Sequence, residues 1–186
     1  MDALFGGTSV TLVLGDITRQ TVDAIVNAAN PELTGGGGVD GAIHEAGGPE
    51  FDAACREAAR TRAPLDRGDA VAVAPGRLPV KRVILTAGPV WHGGKHNEAG
   101  ILANCYRSSL SLARADGLRT IAFPSISTGA YGYPLDEAAA IAVETVKSEL
   151  EALPGTFEEV RFVLYGDRTL RAFEAALRRA LGEPGQ

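Results

Sequence analysis

The segment AIVNAANPELTGGGGVD, residues 24–40, sets a short apolar run ahead of four consecutive glycines and an acid. Residues 24–28 (AIVNA) have the character of a short buried strand. Four glycines, residues 35–38, are costly in chain entropy, so we expect something to approach this backbone too closely for a side chain. Asp40 stands at the edge of this loop, and His44 follows it at the spacing of one helical turn.

Strands and helices alternate along the rest of the chain. We predict further strands at residues 10–14, 69–74, 82–87, 120–124 and 160–164, and helices at residues 49–62, 98–115, 135–150 and 169–181. The first of these helices is expected to open at Pro49, since proline is tolerated in a first turn. The alternation is typical of an α/β fold with helices on both faces of the sheet.

Unusual residues are concentrated in the loops that follow predicted strands. The loops after residues 14, 28, 87, 124 and 164 read GDIT, NPELTGGGGVDG, GPVWHGG, SISTGAYGY and YGD. Ligands of open α/β sheets bind beyond the carboxyl ends of the strands. We therefore expect these five loops to meet at one edge of the sheet and to form the functional site.

The composition limits the classes of protein to which this chain can belong. The chain has 186 residues, of which 45% are hydrophobic and 22% charged, with a formal net charge of -5. We expect one domain over residues 1–186, frayed after about residue 181, and a cytoplasmic protein without a membrane span or secretory signal. The acidity argues against broad nucleic-acid binding. Cys55 and Cys105 lack paired spacing and are predicted to be reduced, buried thiols.

Three familiar motifs are present only in part. Residues 36–41 (GGGVDG) match the dinucleotide fingerprint, but the loop is separated from its strand and the next strand does not end in an acid. His92 and His96 have the spacing of metal ligands, but two glycines between them disfavour a helix, so we read them as surface loop residues. Ser127 lacks the upstream glycine of a nucleophile elbow.

Two glycine-bearing loops remain, residues 35–38 and 127–132. Successive amides in a tight turn bind anions without Lys or Arg, and a following helix adds its positive end. Two such loops at one edge suggest a diphosphate ligand, the alternative being two ordinary turns. Asp16 is either a helix N-cap or an acceptor for an adenine amino group, and Tyr165 either packs or stacks on a base.

Five motifs then occur in a familiar order. They are GDIT at residues 15–18, NAAN at 27–30, GGGGVDGAIH at 35–44, TAGPVW at 86–91 and FPSISTGAYGYP at 123–134. Together they resemble a macrodomain of the MacroD type, a subfamily of ADP-ribose-binding hydrolases, over nearly the whole chain. The chain looks most similar to bacterial stand-alone members, which remove acetyl from O-acetyl-ADP-ribose and mono-ADP-ribose from acidic side chains.

The resemblance implies a three-layer α/β/α fold with a mixed central sheet, and a monomer that needs neither metal nor cofactor. The implied partners are ADP-ribose, O-acetyl-ADP-ribose and mono-ADP-ribosylated proteins. The implied catalytic residues are Asp40, Asn30 and His44. The implied ligand-binding residues are Asp16, Ile17, Asn27, Gly36, Gly37, Gly38, Val39, Ser127, Thr128, Gly129, Ala130, Tyr131 and Tyr165.

Two departures from the family pattern bear on the rate. Glu45 stands where relatives usually have Arg, and its charge is expected to raise the pKa of Asp40 or weaken anion binding. Ala130 is small where a branched residue is common. Two other functions compete with hydrolysis, namely a non-catalytic reader of ADP-ribose and an RNA-binding regulatory protein. The acidity and the few aromatic residues argue against the second.

Overall fold

The structure, a computed structural model, describes residues 1–183. The strands in that range are β1 (Asp2–Phe5), β2 (Thr8–Leu14), β3 (Ala24–Ala29), β4 (Ala70–Val73), β5 (Arg82–Ala87), β6 (Thr120–Phe123) and β7 (Glu159–Leu164). The helices are α1 (Gly38–Arg62), α2 (Glu98–Ala115), α3 (Leu135–Ala152) and α4 (Asp167–Ala180), and a 3-10 turn spans Ile17–Arg19.

All seven strands form one sheet, in the order β1-β2-β7-β6-β3-β5-β4. The five inner strands are parallel, whereas β1 pairs with β2, and β4 with β5, in the antiparallel sense. The prediction of a mixed sheet is therefore confirmed. Because the inner strands point the same way, the five loops that follow them meet at one edge, as the sequence predicted.

Side chains of the inner strands alternate between two apolar cores, one on each face of the sheet. On β3, Ala24 and Val26 belong to the core under α2, α3 and α4, whereas Ile25 belongs to the core under α1 and the 3-10 turn. Strands buried on both faces read as continuous apolar runs, which is the pattern from which they were predicted. The three-layer α/β/α architecture is confirmed.

The first strand, β1, was not predicted. It pairs with β2 through a two-residue turn made by Gly6 and Gly7, whose φ angles are 54° and 80°. Two consecutive residues with positive φ are what a tight hairpin turn requires, so the dipeptide Gly-Gly was the available signal. The residues of β1 are largely exposed and form only a short apolar run, so the strand itself was not recognised in the sequence.

Helix α1 starts earlier than predicted, at Gly38 rather than Pro49, but it is broken at Gly48. Gly48 has φ 71° and ψ -168°, a conformation that is essentially restricted to glycine. Pro49 opens the second half, where its missing N–H costs nothing. The prediction described only the second half, because the glycines and the proline in the interior obscured the first.

Gly76, in the loop after β4, lies directly against this break. The carbonyl oxygen of Gly47 accepts a hydrogen bond from Arg77 N at 3.0 Å. A methyl group on Gly76 would overlap the Gly47 carbonyl oxygen and would lie 2.7 Å from Phe51 N. Phe51 itself is fully buried. Glycine at position 76 therefore lets the loop touch the backbone of α1 where the helix changes direction.

Both cysteines are buried free thiols, as predicted. Burial raises the pKa of Cys55 to about 12 and that of Cys105 to about 11, so both are protonated at neutral pH. At the other end of the chain, Gly182 N and Glu183 N donate to carbonyl groups in the last turn of α4. The last three residues of the predicted tail lie outside the described residues. No helix within residues 1–183 is long and apolar enough to cross a membrane.

We predict that Gly76→Ala destabilises the protein by about 1–3 kcal/mol, the usual cost of inserting a methyl group where the backbone must move. Gly7→Ala is the matched control, because Gly7 also has positive φ but a methyl group there would meet no atom within 4 Å. Urea unfolding of both variants separates the contact from the shared backbone strain. Equal losses of stability would show that the contact with α1 costs nothing.

Candidate active site

Asp40 is a buried acid in the first turn of α1. Its Oδ1 accepts a hydrogen bond from Asn27 Nδ2 at 2.7 Å, and only 6% of Asp40 is exposed. The N-cap of α1 is Gly37, which offers no side chain, so Asp40 lies within the first turn of the helix and does not cap it. Asn27, on β3, is fully buried and holds Asp40 through its side-chain amide, and its Oδ1 has no hydrogen-bond partner among the described residues.

His44 lies between two carboxylates. Its Nε2 is 3.3 Å from Asp40 Oδ1, and its Nδ1 is 2.6 Å from Asp52 Oδ1. The ring also packs on Phe51, with 4.8 Å between centroids. The sequence predicted the proximity of Asp40 and His44, which are one turn apart. It gave no signal for Asp52, which reaches His44 only because α1 is broken.

The surroundings of Asp40 favour its protonated form. Burial raises its pKa above the ordinary value, while the hydrogen bond from Asn27 and the charge of His44 act in the opposite direction. Glu45, expected to raise this pKa, is exposed and is not among the groups that shift it. Five residues along a helix separate two side chains by more than a quarter turn, which places Glu45 on a different face.

The first glycine loop is held from within by Asn30, at the end of β3. Asn30 Nδ2 donates to Gly35 O at 3.0 Å, and Asn30 Oδ1 accepts from Thr34 N at 3.1 Å. Gly35 lies against the imidazole, since a methyl group there would be 3.4 Å from His44 Nε2. The predicted catalytic residues Asn30, Asp40 and His44 are thus brought together around one loop.

The next three glycines of this loop are exposed. Gly38 has positive φ, 57°, and so has a conformational reason to be glycine. Gly37 has an ordinary extended φ of -93°, and a methyl group there would meet no atom within 4 Å. A methyl group on Gly36 would make only a 3.4 Å contact with Asp40 Oδ2. Val39 is half-buried and packs on the core under α1.

The second predicted loop begins at Ser127, which has φ 65° although it is not a glycine. Its carbonyl oxygen accepts from Tyr133 N at 2.9 Å, which closes the loop. Its hydroxyl is buried and has no hydrogen-bond partner among the described residues. Thr128 Oγ1 donates to Ser125 Oγ at 2.8 Å and fixes the start of the turn. Backbone strain of this kind is typical of functional loops.

The tip of the second loop is open to solvent. Gly129 and Ala130 are exposed, and a methyl group on Gly129 would meet no atom within 4 Å. The ring of Tyr131 lies under Arg67, with the guanidinium carbon 5.2 Å from the ring centroid. Tyr131 O accepts from Trp91 N at 2.9 Å, so the loop after β5 supports this one.

The two residues predicted to contact adenine lie at neighbouring strand ends. Leu14 of β2 pairs with Leu164 of β7, and Asp16 and Tyr165 follow within two residues. Asp16 does cap the 3-10 turn, accepting from Thr18 N at 2.9 Å and Thr18 Oγ1 at 2.7 Å. These hydrogen bonds lower its pKa. Tyr165 is 91% exposed, so the packing alternative for it is wrong, whereas Ile17 is buried.

Glu98, which the sequence analysis missed, organises the loop after β5. It is 1% exposed, and its carboxylate accepts from the backbone N–H groups of His92 (3.0 Å), Gly94 (2.8 Å) and His96 (2.6 Å). Burial opposes its ionisation, but these donors prevail and lower its pKa to about 2. Because glutamate is common at the start of a helix, its position alone did not identify Glu98 as the residue that organises this loop.

The two histidines of the same loop, His92 and His96, are exposed, with 5.9 Å between their ring centroids. They therefore lie on the surface, as predicted. Among residues 1–183, no group of three or more His, Cys, Asp or Glu side chains could hold a metal ion.

Known proteins resemble this chain in sequence and in structure. The Macro domain family matches residues 26–142, a range that contains both glycine-bearing loops. The O-acetyl-ADP-ribose deacetylase of Citrobacter rodentium is 52% identical over 168 residues, covering 90% of this chain and 94% of that protein. The Oceanobacillus iheyensis macrodomain with ADP is 40% identical with a TM-score of 0.93, covering 98% of this chain and 96% of that one. The Trypanosoma brucei macrodomain in complex with ADP-ribose is 38% identical with a TM-score of 0.82, covering 90% and 68%.

We expect Glu98→Gln to lower the melting temperature at neutral pH, because a neutral amide accepts hydrogen bonds more weakly than a carboxylate. The pKa of Glu98 is lowered from 4.5 to about 2 on folding, so its contribution is present above pH 4.5 and is lost as the pH falls towards 2. The difference in melting temperature between the wild-type protein and Glu98→Gln should therefore decrease as the pH falls from 4.5 towards 2. Glu144→Gln, at an exposed position on α3, is the control. A gap that does not change with pH would contradict the assignment.

Proposed function

This chain belongs to the macrodomain family, and we propose that it is an ADP-ribose-binding hydrolase that removes acetyl from O-acetyl-ADP-ribose and mono-ADP-ribose from acidic side chains of proteins. We propose further that residues 1–186 form a single macrodomain and that the reaction is ester hydrolysis at the distal ribose, without a metal. Asp40, Asn30 and His44 carry the chemistry.

Gly37 is the observation that supports this function best. Neither its backbone conformation nor its packing requires glycine, since φ is -93° and a methyl group would meet no atom within 4 Å. Glycine is accepted at a helix N-cap, but Ser, Thr, Asp or Asn would fit the same backbone conformation, cap the helix at least as well and cost less chain entropy. The space beside Gly37 therefore belongs to a ligand that approaches the backbone. Gly129, on the opposite loop, has the same open surroundings.

The two loops are suited to a diphosphate. The first leads into α1 and the second into α3, so each offers backbone N–H groups together with the positive end of a helix. Such dipoles bind an anion without any cationic side chain, which fits a chain with net charge -5. Ser127, whose buried hydroxyl has no hydrogen-bond partner among residues 1–183, provides a further donor at the second loop.

The two ends of the ligand are assigned from the residues on either side of the two loops. We assign adenine to the side of Asp16, Ile17 and Tyr165, where the exposed tyrosine ring can stack on the base. We assign the distal ribose to the side of Asn30 and Asp40. The remaining predicted binding residues, namely Asn27, Gly36, Gly38, Val39, Thr128, Ala130 and Tyr131, line the path between these ends or support it.

Asp40 acts on the attacking water, either directly or through a hydroxyl group of the distal ribose. The water loses a proton to the carboxylate, its oxygen forms a bond to the ester carbon, and the ester C–O bond breaks. The ribose oxygen that leaves takes up a proton. A buried carboxylate with a raised pKa is a stronger base than an exposed one, which suits proton transfer near neutral pH. Binding of the diphosphate fixes the distance between water and ester carbon.

The proposed ligand can be tested separately from the chemistry. Wild-type protein should bind ADP-ribose more tightly than AMP in calorimetry, because AMP lacks the second phosphate and the distal ribose. Gly37→Ala should lower the melting temperature only slightly, because alanine is a poorer N-cap than glycine, while weakening ADP-ribose binding about tenfold or more, the scale of one methyl group forced into a packed contact. Unchanged ADP-ribose affinity in this variant would rule out ligand approach at Gly37.

Asp40→Asn tests the chemistry. The substitution keeps an oxygen that can accept from Asn27 Nδ2, so we expect a folded protein with nearly unchanged ADP-ribose affinity and turnover reduced by about a hundredfold or more. The wild-type rate should fall with decreasing pH above the ordinary pKa of Asp, since burial makes Asp40 take up its proton at a higher pH. Asp136→Asn, in the first turn of α3, is the control for loss of a first-turn carboxylate. Full turnover by a folded Asp40→Asn protein would overturn the role of Asp40 in the reaction, whereas a wild-type protein without turnover would leave only the reader function.

A further inference from the structure

Three side chains of α1 are aligned in a row. Asp52 Oδ1 is 2.6 Å from His44 Nδ1, and His44 Nε2 is 3.3 Å from Asp40 Oδ1. Asp40 and His44 are buried or nearly so, whereas 43% of the Asp52 side chain is exposed. The row therefore runs from solvent to the buried acid of the site.

A straight helix could not make this row. Asp52 follows His44 by eight residues, which in a continuous helix places them about 12 Å apart along the axis. The break at Gly48 turns the second half of α1 back towards the first and closes that distance. The loop after β4 supports the break through the hydrogen bond from Arg77 N to Gly47 O. The unusual backbone conformation of Gly48 thus makes the contact between His44 and Asp52 possible.

We propose that Asp52 is a positioning residue for hydrolysis, which holds the imidazole of His44 so that Nε2 faces Asp40. The inference rests on the proposed function, because it assigns Asp52 a role in the reaction of Asp40. Asp52 does not touch the ligand site described above. It acts through His44 alone.

Hydrogen-bond chemistry fixes where the protons lie in this row. An ionised Asp52 only accepts, so His44 Nδ1 carries a hydrogen and donates it. His44 Nε2 then either carries a second proton and donates it to Asp40, or is bare and accepts one from a protonated Asp40. The proposed reaction needs the first case, in which Asp40 is ionised and can take up the proton of the water. The proton on His44 Nε2 is then available to the ribose oxygen when the ester C–O bond breaks.

Few other charges surround this row. Cys55, on the second half of α1, lies near both acids, and its own pKa of about 12 keeps it neutral. Arg56 acts on that thiol and lowers its pKa. Glu45 is exposed on another face of the helix. Asp40 therefore depends on His44 for the nearby positive charge that opposes the effect of burial.

Kinetics of Asp52→Ala test the role. We expect kcat to fall about tenfold or more, the scale seen when a carboxylate that orients a functional imidazole is removed, with KM unchanged. The acidic limb of the kcat profile should move to higher pH, because an imidazole that is no longer held beside Asp40 opposes the effect of burial on the pKa of Asp40 less well. Asp52→Asn, which retains an acceptor oxygen, should recover part of kcat. Glu45→Gln, a control that removes one nearby negative charge, should leave kcat unchanged.

Unchanged kcat per folded Asp52→Ala protein, or a rise in KM as large as the fall in kcat, would overturn the proposal. An equal fall in kcat in Glu45→Gln and in Asp52→Ala would also overturn the proposal, because the effect would then come from the change in net charge. A wild-type protein without turnover would instead overturn the proposed function, and the contact itself would still be decided by spectroscopy.

Nitrogen-15 NMR of the imidazole rings provides that measurement without substrate. The chain has three histidines, so His44 can be assigned with one His44→Gln sample. In the wild-type protein we expect a hydrogen on Nδ1 of His44, and in Asp52→Ala we expect that signal to be lost or averaged by exchange with solvent. A wild-type His44 protonated on Nε2 only would overturn the proposal, whatever the kinetics show.

Discussion

The parallel alignment of five inner strands is the constraint on which the rest of the structure depends. Parallel strands need crossover connections, and in this chain the crossovers bring every strand end of one sense to one edge. The antiparallel strands β1 and β4 close the two sides of the sheet, and the loop that leads into β4 brings Arg67 to that edge, over the ring of Tyr131. Residues separated by up to 150 positions, such as Asp16 and Tyr165, become neighbours through strand register alone.

Burying the polar side chains of Asn27 and Asp40 at this edge of the sheet costs free energy of folding. A carboxylate that is 6% exposed loses most of its hydration, and one amide donor and one imidazole replace only part of it. The raised pKa of Asp40 reflects the hydration that these two groups do not replace. Apolar residues at both positions would stabilise the core better, so the pair is understandable as a functional feature.

The sequence predicted the fold well where local pattern and tertiary structure agree. Apolar runs such as residues 82–87 could be assigned because strands buried on both faces carry a continuous signal. Asp40 and His44 could be paired because one turn of helix links them. Asp52 and Glu98 could not be found, because the first contact requires a backbone break and the second requires three N–H groups of a folded loop. Such contacts exist only in three dimensions.

An acidic protein that takes an anionic ligand faces a conflict of charge, and the arrangement of its acids resolves it. The loops assigned to the diphosphate present backbone amides, while Asp40 lies beneath the first loop and Asp52 lies behind His44. Fixed backbone amides that contact phosphate oxygens attract them at short range without any cationic side chain. The imidazole of His44 lies between the two acids. In the proposed function, the glycines, the helix break and the buried acid are therefore parts of one arrangement, in which neutral donors bind the diphosphate and one shielded carboxylate takes up the proton of the water.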